Sequence, residues 1–225
     1  MQRNVWLGLI GQYAAMALLL FLGAGTVNWP EAWAFLTIYA GSVTAMSLRL
    51  AQLDPGLLQE RVKVTAQLEQ PLWDRVLLKG LGILILVWLI VPGIDAVRFE
   101  WSNVSPWLKA AGAVITAVSL IAIYAVMRQN SYLAPTVKVQ RERGHRVIST
   151  GAYGMVRHPF YALLIPFFAS AALLLGSWWG VFASGLIGIL LAFRCIREER
   201  HLCRALEGYA DYLSEVRSRL IPYVW

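Results

Sequence analysis

Long apolar runs alternate with short polar segments along most of the chain. A helix that crosses a membrane needs about 20 mostly apolar residues, and four runs reach this length, at residues 5–25, 31–50, 72–95 and 105–127. Two shorter runs follow, at residues 160–175 and 178–193, separated only by Gly176-Ser177. The pattern predicts an all-α integral membrane bundle of about six transmembrane helices with a cytoplasmic C-terminal helix. Five helices, or a re-entrant C-terminal hairpin, are the alternatives.

The composition agrees with a membrane protein. The chain is 58% hydrophobic and 15% charged, whereas soluble domains average about 45–50% and about 25%. Ten Trp and nine Tyr add the amphipathic aromatic side chains that are enriched at membrane–water boundaries. Disordered, collagen-like and disulfide-rich classes are excluded, since the first two are polar and the third needs more than two cysteines.

The distribution of Lys and Arg predicts the orientation. Eighteen of the 20 basic residues fall on one side of the predicted helices, and only Arg98 and Lys109 fall on the other. Because cytoplasmic loops carry the excess of Lys and Arg, we expect both termini in the cytoplasm, in an inner or plasma membrane. These charges flank membrane helices and no nucleic-acid motif accompanies them, which indicates membrane lipids as partners and not nucleic acid.

Reactive side chains are concentrated in two C-terminal stretches, residues 129–161 and 194–225. Pro159 suits the first turn of a helix, which places Arg157 and His158 at a helix N-terminus, where an anionic ligand is favoured. Arg194 and Glu198 are four residues apart and share a helix face. Taken singly, His158 is more simply interpreted as a residue that caps the helix, and Arg194 as a side chain that extends to the membrane surface.

Several common kinds of site are not indicated. The three histidines lie in no HExxH or CxxC pattern, so no metal site is expected. The sequence contains neither a GxSxG elbow nor a GxGxxG loop, which argues against a serine hydrolase and a soluble dinucleotide-binding domain.

The last hundred residues carry a specific succession of motifs. RHPFY at 157–161 is followed about 37 residues later by EERHL, and then by GYADYLSEVRSRLIP. This succession, with NSYLAPTVKVQ and HRVISTGAYGMV before it, resembles the isoprenylcysteine carboxyl methyltransferase and phospholipid methyltransferase superfamily of integral membrane enzymes, as a bacterial-type member. We therefore interpret residues 1–128 as N-terminal transmembrane helices with a cytoplasmic linker. Residues 129–225 are interpreted as the methyltransferase core, with a cofactor-binding connector, a helical hairpin and a tail helix.

The resemblance implies methyl transfer from S-adenosylmethionine to a lipid-like or prenylated acceptor at the cytoplasmic boundary. It further implies that Arg194 lies on the acceptor side. Arg157 is added to the cofactor site because a ligand with a sulfonium, an amino group and a carboxylate needs both signs of charge. The expected cofactor-binding residues are Gln140, His145, Arg146, Val147, Ile148, Tyr153, Arg157, His158, Pro159, Phe160, Tyr161 and Glu198.

The acceptor chemistry decides which residues would be catalytic. An ionised carboxylate needs no general base, so alignment by Arg194 and removal of water would suffice. A lipid amine would need a base, for which Glu199 and His158 are the candidates. There are two competing interpretations. One is a membrane sterol or lipid reductase that uses NADPH, whose 2′-phosphate the arginines of residues 141–146 would receive. The other is a non-enzymatic membrane protein.

Overall fold

A computed structural model of the chain describes residues 2–62 and 70–225, and every regular element in them is helical. Six long helices are accompanied by two short ones. The long helices are α1 (Gln2–Ala24), α2 (Pro30–Leu53), α4 (Leu72–Gly93), α5 (Pro106–Gln129), α6 (Pro159–Leu174) and α7 (Trp178–Ala205). The short ones are α3 (Pro55–Val62) and α8 (Tyr209–Glu215). The predicted all-α membrane bundle is confirmed.

Five of the long helices are long and apolar enough to cross a membrane, and α6 is shorter, with 16 residues. At 1.5 Å per residue, α6 spans about 24 Å of a hydrocarbon core that is about 30 Å thick. Its far end is nevertheless fixed at the far end of the bundle: Ser177 Oγ donates to Asp95 Oδ2 at 2.5 Å, and Trp178 N donates to Ser102 Oγ at 3.0 Å. The tip of the α6–α7 hairpin therefore lies beside Asp95 and Ser102, and whether six or five helices cross the membrane stays a prediction.

Two helices end differently from the prediction. Pro92 lies inside α4, which continues as a π-helical turn over Ile94–Arg98, in keeping with the missing backbone donor of proline. Helix α7 extends to Ala205, whereas the apolar run ends at residue 193. The charged residues that follow the apolar run thus continue the same helix, so Arg194, Glu198 and Glu199 belong to one rigid element.

Glycines allow the helices to approach closely. A Cβ on Gly23 would lie 2.3 Å from Ile90 O, and one on Gly112 would lie 2.6 Å from Ser170 O. Small residues at such crossings bring backbones into contact, which is a common way to pack helices in membranes. These contacts join α1 to α4 and α5 to α6.

The end of the bundle that holds residues 53–62, 129–159 and 205–225 is called the basic end here. Its connector, residues 130–158, is mostly irregular and is held by the C-terminal segment: Arg157 N donates to Ser218 O and His158 N to Arg219 O. Glu60 of α3 pairs with Lys138 of the connector, so the linker contacts the predicted core across the boundary at residue 128. Residues 63–69 of that linker, including Lys63 of the charge count, lie outside the described residues.

Candidate active site

A cleft opens at the basic end between the connector, the start of α6, the second half of α7 and α8. Ten of the twelve predicted cofactor residues line it; Gln140 and Pro159 do not. The ten are His145, Arg146, Val147, Ile148, Tyr153, Arg157, His158, Phe160, Tyr161 and Glu198. Residues separated by more than 50 positions in the sequence are thus brought together around one space.

Glu198 is the carboxylate of the cleft. Its Oε2 accepts a hydrogen bond of 2.9 Å from the Tyr161 hydroxyl. The ring of Tyr161 in turn stacks on His158, with centroids 5.6 Å apart and planes at 6°. A negative charge therefore stands beside two parallel aromatic rings, an arrangement that suits a cationic ligand with a flat ring system.

Glu199, a candidate base in the prediction, does not line the cleft. Its Oε1 lies 3.2 Å from Arg157 Nε and 3.3 Å from His158 Nε2, and its Oε2 accepts from Arg219 Nε at 2.9 Å. A carboxylate that is buried between two guanidinium groups and an imidazole is held in its ionised form. Its role in this position is to fix His158 and the C-terminal segment.

Arg194 is also placed differently from the expectation. Its Nε donates to Asp74 Oδ1 at 2.9 Å and its Nη2 to Pro135 O at 2.6 Å. It lines neither the cleft nor the apolar cavity described below. The buried ion pair thus joins α7 to α4, and the hydrogen bonds of Arg194 go to Asp74 and Pro135 and not to Glu198.

Gln140 stabilises the connector through hydrogen bonds of its buried side chain. Its side chain is fully buried, donates to Tyr132 O at 2.7 Å and accepts from Arg143 Nη1 at 2.6 Å. Its backbone N–H donates to His145 Nδ1 at 3.2 Å, which requires a neutral imidazole. Burial, aided by nearby Arg143, lowers the pKa of His145 to about 4, so the ring is neutral near pH 7 and stacks on Tyr132.

Two hydroxyl groups of cleft-lining residues are buried. Thr136 Oγ1 has no hydrogen-bond partner among the described residues, whereas the Asn130 side chain lies beside the Tyr153 hydroxyl. Burial raises the pKa of Tyr153 to about 12, so this hydroxyl is a donor near neutral pH. Because buried polar groups are nearly always paired, the unpaired Thr136 Oγ1 suits a polar ligand.

A second, larger cavity of about 550 Å³ lies among the membrane helices α1, α2, α5 and α6. Its walls are mostly apolar, and Phe160 belongs to the lining of both the cavity and the cleft. Arg61 of α3 also lines the cavity. The two spaces therefore meet at the first turn of α6.

Sequence reasoning missed two charged residues of this region. Asp74, in the first turn of α4, is fully buried; a carboxylate in an apolar run signals a partner inside the bundle. Arg61 follows a Leu-Leu-Gln-Glu stretch of the linker, and only the folded chain brings it near Phe160. Among the described residues, no group of three or more His, Cys, Asp or Glu side chains is arranged to hold a metal ion.

Comparisons with known proteins agree with this architecture. The phospholipid methyltransferase family matches residues 107–207. The fold is similar to that of a eukaryotic intramembrane Ras methyltransferase, isoprenylcysteine carboxyl methyltransferase, with a TM-score of 0.63 and 18% identity, covering 93% of this chain and 74% of the other. No curated protein matches the sequence.

The family match favours a methyltransferase over a reductase or a non-enzymatic membrane protein, and it covers α5, the connector, the hairpin and the Glu198 region. The similar solved structure adds a membrane-embedded fold of the same arrangement. Residues 107–207 thus match the phospholipid methyltransferase family, and together with the shared fold this indicates an integral membrane methyltransferase.

Proposed function

We propose that the protein transfers a methyl group from S-adenosylmethionine to the carboxylate of a hydrophobic acceptor, such as a prenylated or lipid-like acid. The observation that carries this proposal is the junction at Phe160, where a cleft with charged and aromatic walls meets an apolar cavity. A polar cofactor and an apolar acceptor each have a space of matching character there.

The residues of the cleft fit the cofactor. The Glu198 carboxylate suits its cationic groups, and the stacked rings of His158 and Tyr161 suit its flat base. The hydroxyls of Tyr153 and Thr136 suit its ribose or carboxylate. The cleft has a volume of about 90 Å³, below the roughly 300–1,000 Å³ of ligand pockets. We therefore expect the connector and the C-terminal segment to part when the whole cofactor enters.

The proposed methyl transfer requires no acid or base from the chain. Bound S-adenosylmethionine supplies an electrophilic methyl group on its sulfonium sulfur, which an ionised carboxylate takes without any proton transfer. The chain has to hold both partners in line and to keep water out. An amine acceptor would need a free base, and the engagement of Glu199 with Arg157, His158 and Arg219 leaves that carboxylate unsuited to the task.

We further propose that residues 129–225 form the cofactor-binding core and that residues 1–128 provide most of the acceptor cavity. The cavity lining supports the second part, since most of its members belong to α1, α2, α3 and α5. The basic end faces the cytoplasm in this proposal, with both termini on that side, because the Lys and Arg residues of the described cytoplasmic loops cluster there.

A binding experiment tests the proposed cofactor. Purified protein in lipid nanodiscs is titrated with S-adenosylhomocysteine and, separately, with NADPH by isothermal calorimetry. We expect saturable binding of S-adenosylhomocysteine and none of NADPH. Binding of NADPH alone would contradict the proposal.

A turnover experiment tests the acceptor. The same preparation is incubated with S-adenosylmethionine and either farnesylthioacetic acid or farnesylamine. We expect methyl ester from the acid and no N-methyl product from the amine. Methylation of the amine alone would support the lipid-amine alternative and refute the carboxylate.

A further inference from the structure

Arg61 stands between the cleft and the apolar cavity. Its Nη1 donates to Leu133 O at 3.3 Å, and its Cζ lies 5.1 Å from the centroid of the Phe160 ring. Leu133 and Phe160 both line the cleft, whereas Arg61 itself lines the cavity. Its guanidinium is therefore the basic group at the place where the two spaces meet.

Among the described residues, no carboxylate forms an ion pair with Arg61. The nearby guanidinium groups of Arg194, Arg157 and Arg219 each lie within 3.2 Å of an acidic oxygen. Within residues 2–62 and 70–225, by contrast, Arg61 forms no ion pair; its protein contacts are one carbonyl and one ring.

Arg61 is partly buried. Burial lowers the pKa of its guanidinium, and the titratable groups that act on it are the phenols of Tyr39, Tyr153 and Tyr161, which are neutral at pH 7. Arginine nevertheless stays protonated in proteins. A partly buried cation that has no anion beside it among the described residues costs free energy, which an incoming anion would recover in part.

We propose that Arg61 binds the anionic head group of the acceptor, with the hydrophobic tail in the apolar cavity. This inference rests on the proposed function for the identity of the ligand as the methyl acceptor. A guanidinium pairs with both oxygens of a carboxylate, which fixes the orientation of the group as well as its position. Arg61 thereby takes the role that the resemblance implied for Arg194, whose Nε and Nη2 donate to Asp74 and Pro135.

The contacts that hold α3 in place support a positioning role for Arg61. Asp54 Oδ1 accepts from Leu57 N at 2.9 Å, so the helix starts at a fixed point. Arg143 of the connector lies 3.7 Å from Asp54, and Glu60 pairs with Lys138. Because the same connector lines the cleft, a head group held by Arg61 would be set in a fixed relation to the cofactor.

The test compares two ligands that differ only in charge. Binding of radiolabelled farnesylthioacetic acid and of its primary amide is measured on the full-length protein in phosphatidylcholine nanodiscs, for the wild type, Arg61→Gln and the control Arg128→Gln, whose side chain is exposed at the end of α5. We expect the wild type and the control to prefer the acid about tenfold or more, as loss of a charge-assisted hydrogen bond implies. Arg61→Gln should bind both ligands equally and keep its affinity for S-adenosylhomocysteine.

Several outcomes would overturn the inference. These are equal binding of acid and amide by the wild type, an undiminished preference in Arg61→Gln, or a parallel loss of S-adenosylhomocysteine affinity. If Arg61→Gln does not fold, Arg61→Lys replaces it and should show a preference reduced severalfold, because an ammonium group cannot pair with both oxygens in a fixed plane; a full preference in that variant counts against the inference.

Two further arms separate related explanations. Nanodiscs with phosphatidylglycerol test whether a phospholipid head group occupies the site; loss of the acid preference in that membrane would refute the acceptor assignment. A preference for the acid that depends on Arg61, without any methyl transfer, would refute the proposed function and leave the anion site standing.

Discussion

The buried pair of Arg194 and Asp74 offers a strong test of how the site is built. Asp74 is fully buried and accepts from Arg194 Nε, from Gln70 Nε2 and from Val137 N, each at 2.9 Å. Asp74→Leu would leave the guanidinium with one carbonyl and the ring of Tyr161. Removal of one partner of a buried pair costs about 3–5 kcal/mol, which is a large part of the stability of a typical domain.

A double-mutant cycle makes the expectation quantitative. Arg194→Met removes the cation and should cost somewhat less than Asp74→Leu, since Asp74 keeps two hydrogen-bond donors. The double variant leaves no buried charge, and we expect it to be more stable than the sum of the single losses by about 2 kcal/mol, within the range of coupling between contacting residues.

The assay is equilibrium unfolding in mixed micelles, with Arg197→Met as the control. Arg197 is an exposed residue of the same helix, and its replacement should change stability by less than about 0.5 kcal/mol. Additive losses in the double variant, or a near-native Asp74→Leu, would refute the account of Arg194 as an internal tie between α4 and α7.

Three further expectations concern the cleft and the helix packing. Glu198→Gln should weaken binding of S-adenosylhomocysteine about tenfold or more, and Tyr161→Phe severalfold, in calorimetric titrations; unchanged affinity in both would place the cofactor elsewhere. Because the folded-state pKa of His145 is about 4, below its unfolded value, the unfolded chain binds more protons between these values, so stability should fall as pH drops from about 6.5 to about 4. His145→Gln should flatten that slope of the unfolding midpoint, and an unchanged slope would contradict the assignment. Gly112→Leu should prevent α5–α6 packing, since its Cβ would lie 2.6 Å from Ser170 O, and a wild-type melting temperature would refute this close contact.

The sequence was most informative where local chemistry determines structure. Apolar length located the six long helices, and the Pro159 signal located the start of α6 at residue 159. The order of the C-terminal motifs brought ten of the twelve expected residues to one cleft. Their roles as ligands of a cofactor stay predictions.

Long-range pairing was not readable in the same way. Arg194 and Asp74 are 120 positions apart, and the nearer Glu198 offered a plausible partner at helical spacing. The position of Arg61 depends on how α3 folds back onto the connector, which no periodicity encodes. Charged residues inside a bundle choose partners by tertiary geometry, so their pairing emerges only from the fold.

The most direct test of the central claim is the identity of the methylated product. Purified protein in nanodiscs is incubated with S-adenosylmethionine that carries a labelled methyl group and with a total lipid extract, and the labelled lipid is then treated with alkali. The account predicts a labelled hydrophobic product that releases its label as volatile methanol, because a methyl ester hydrolyses under these conditions. Label that stays on the lipid would identify an N-methyl product, and the absence of any labelled lipid beside a folded, cofactor-binding protein would contradict the account altogether.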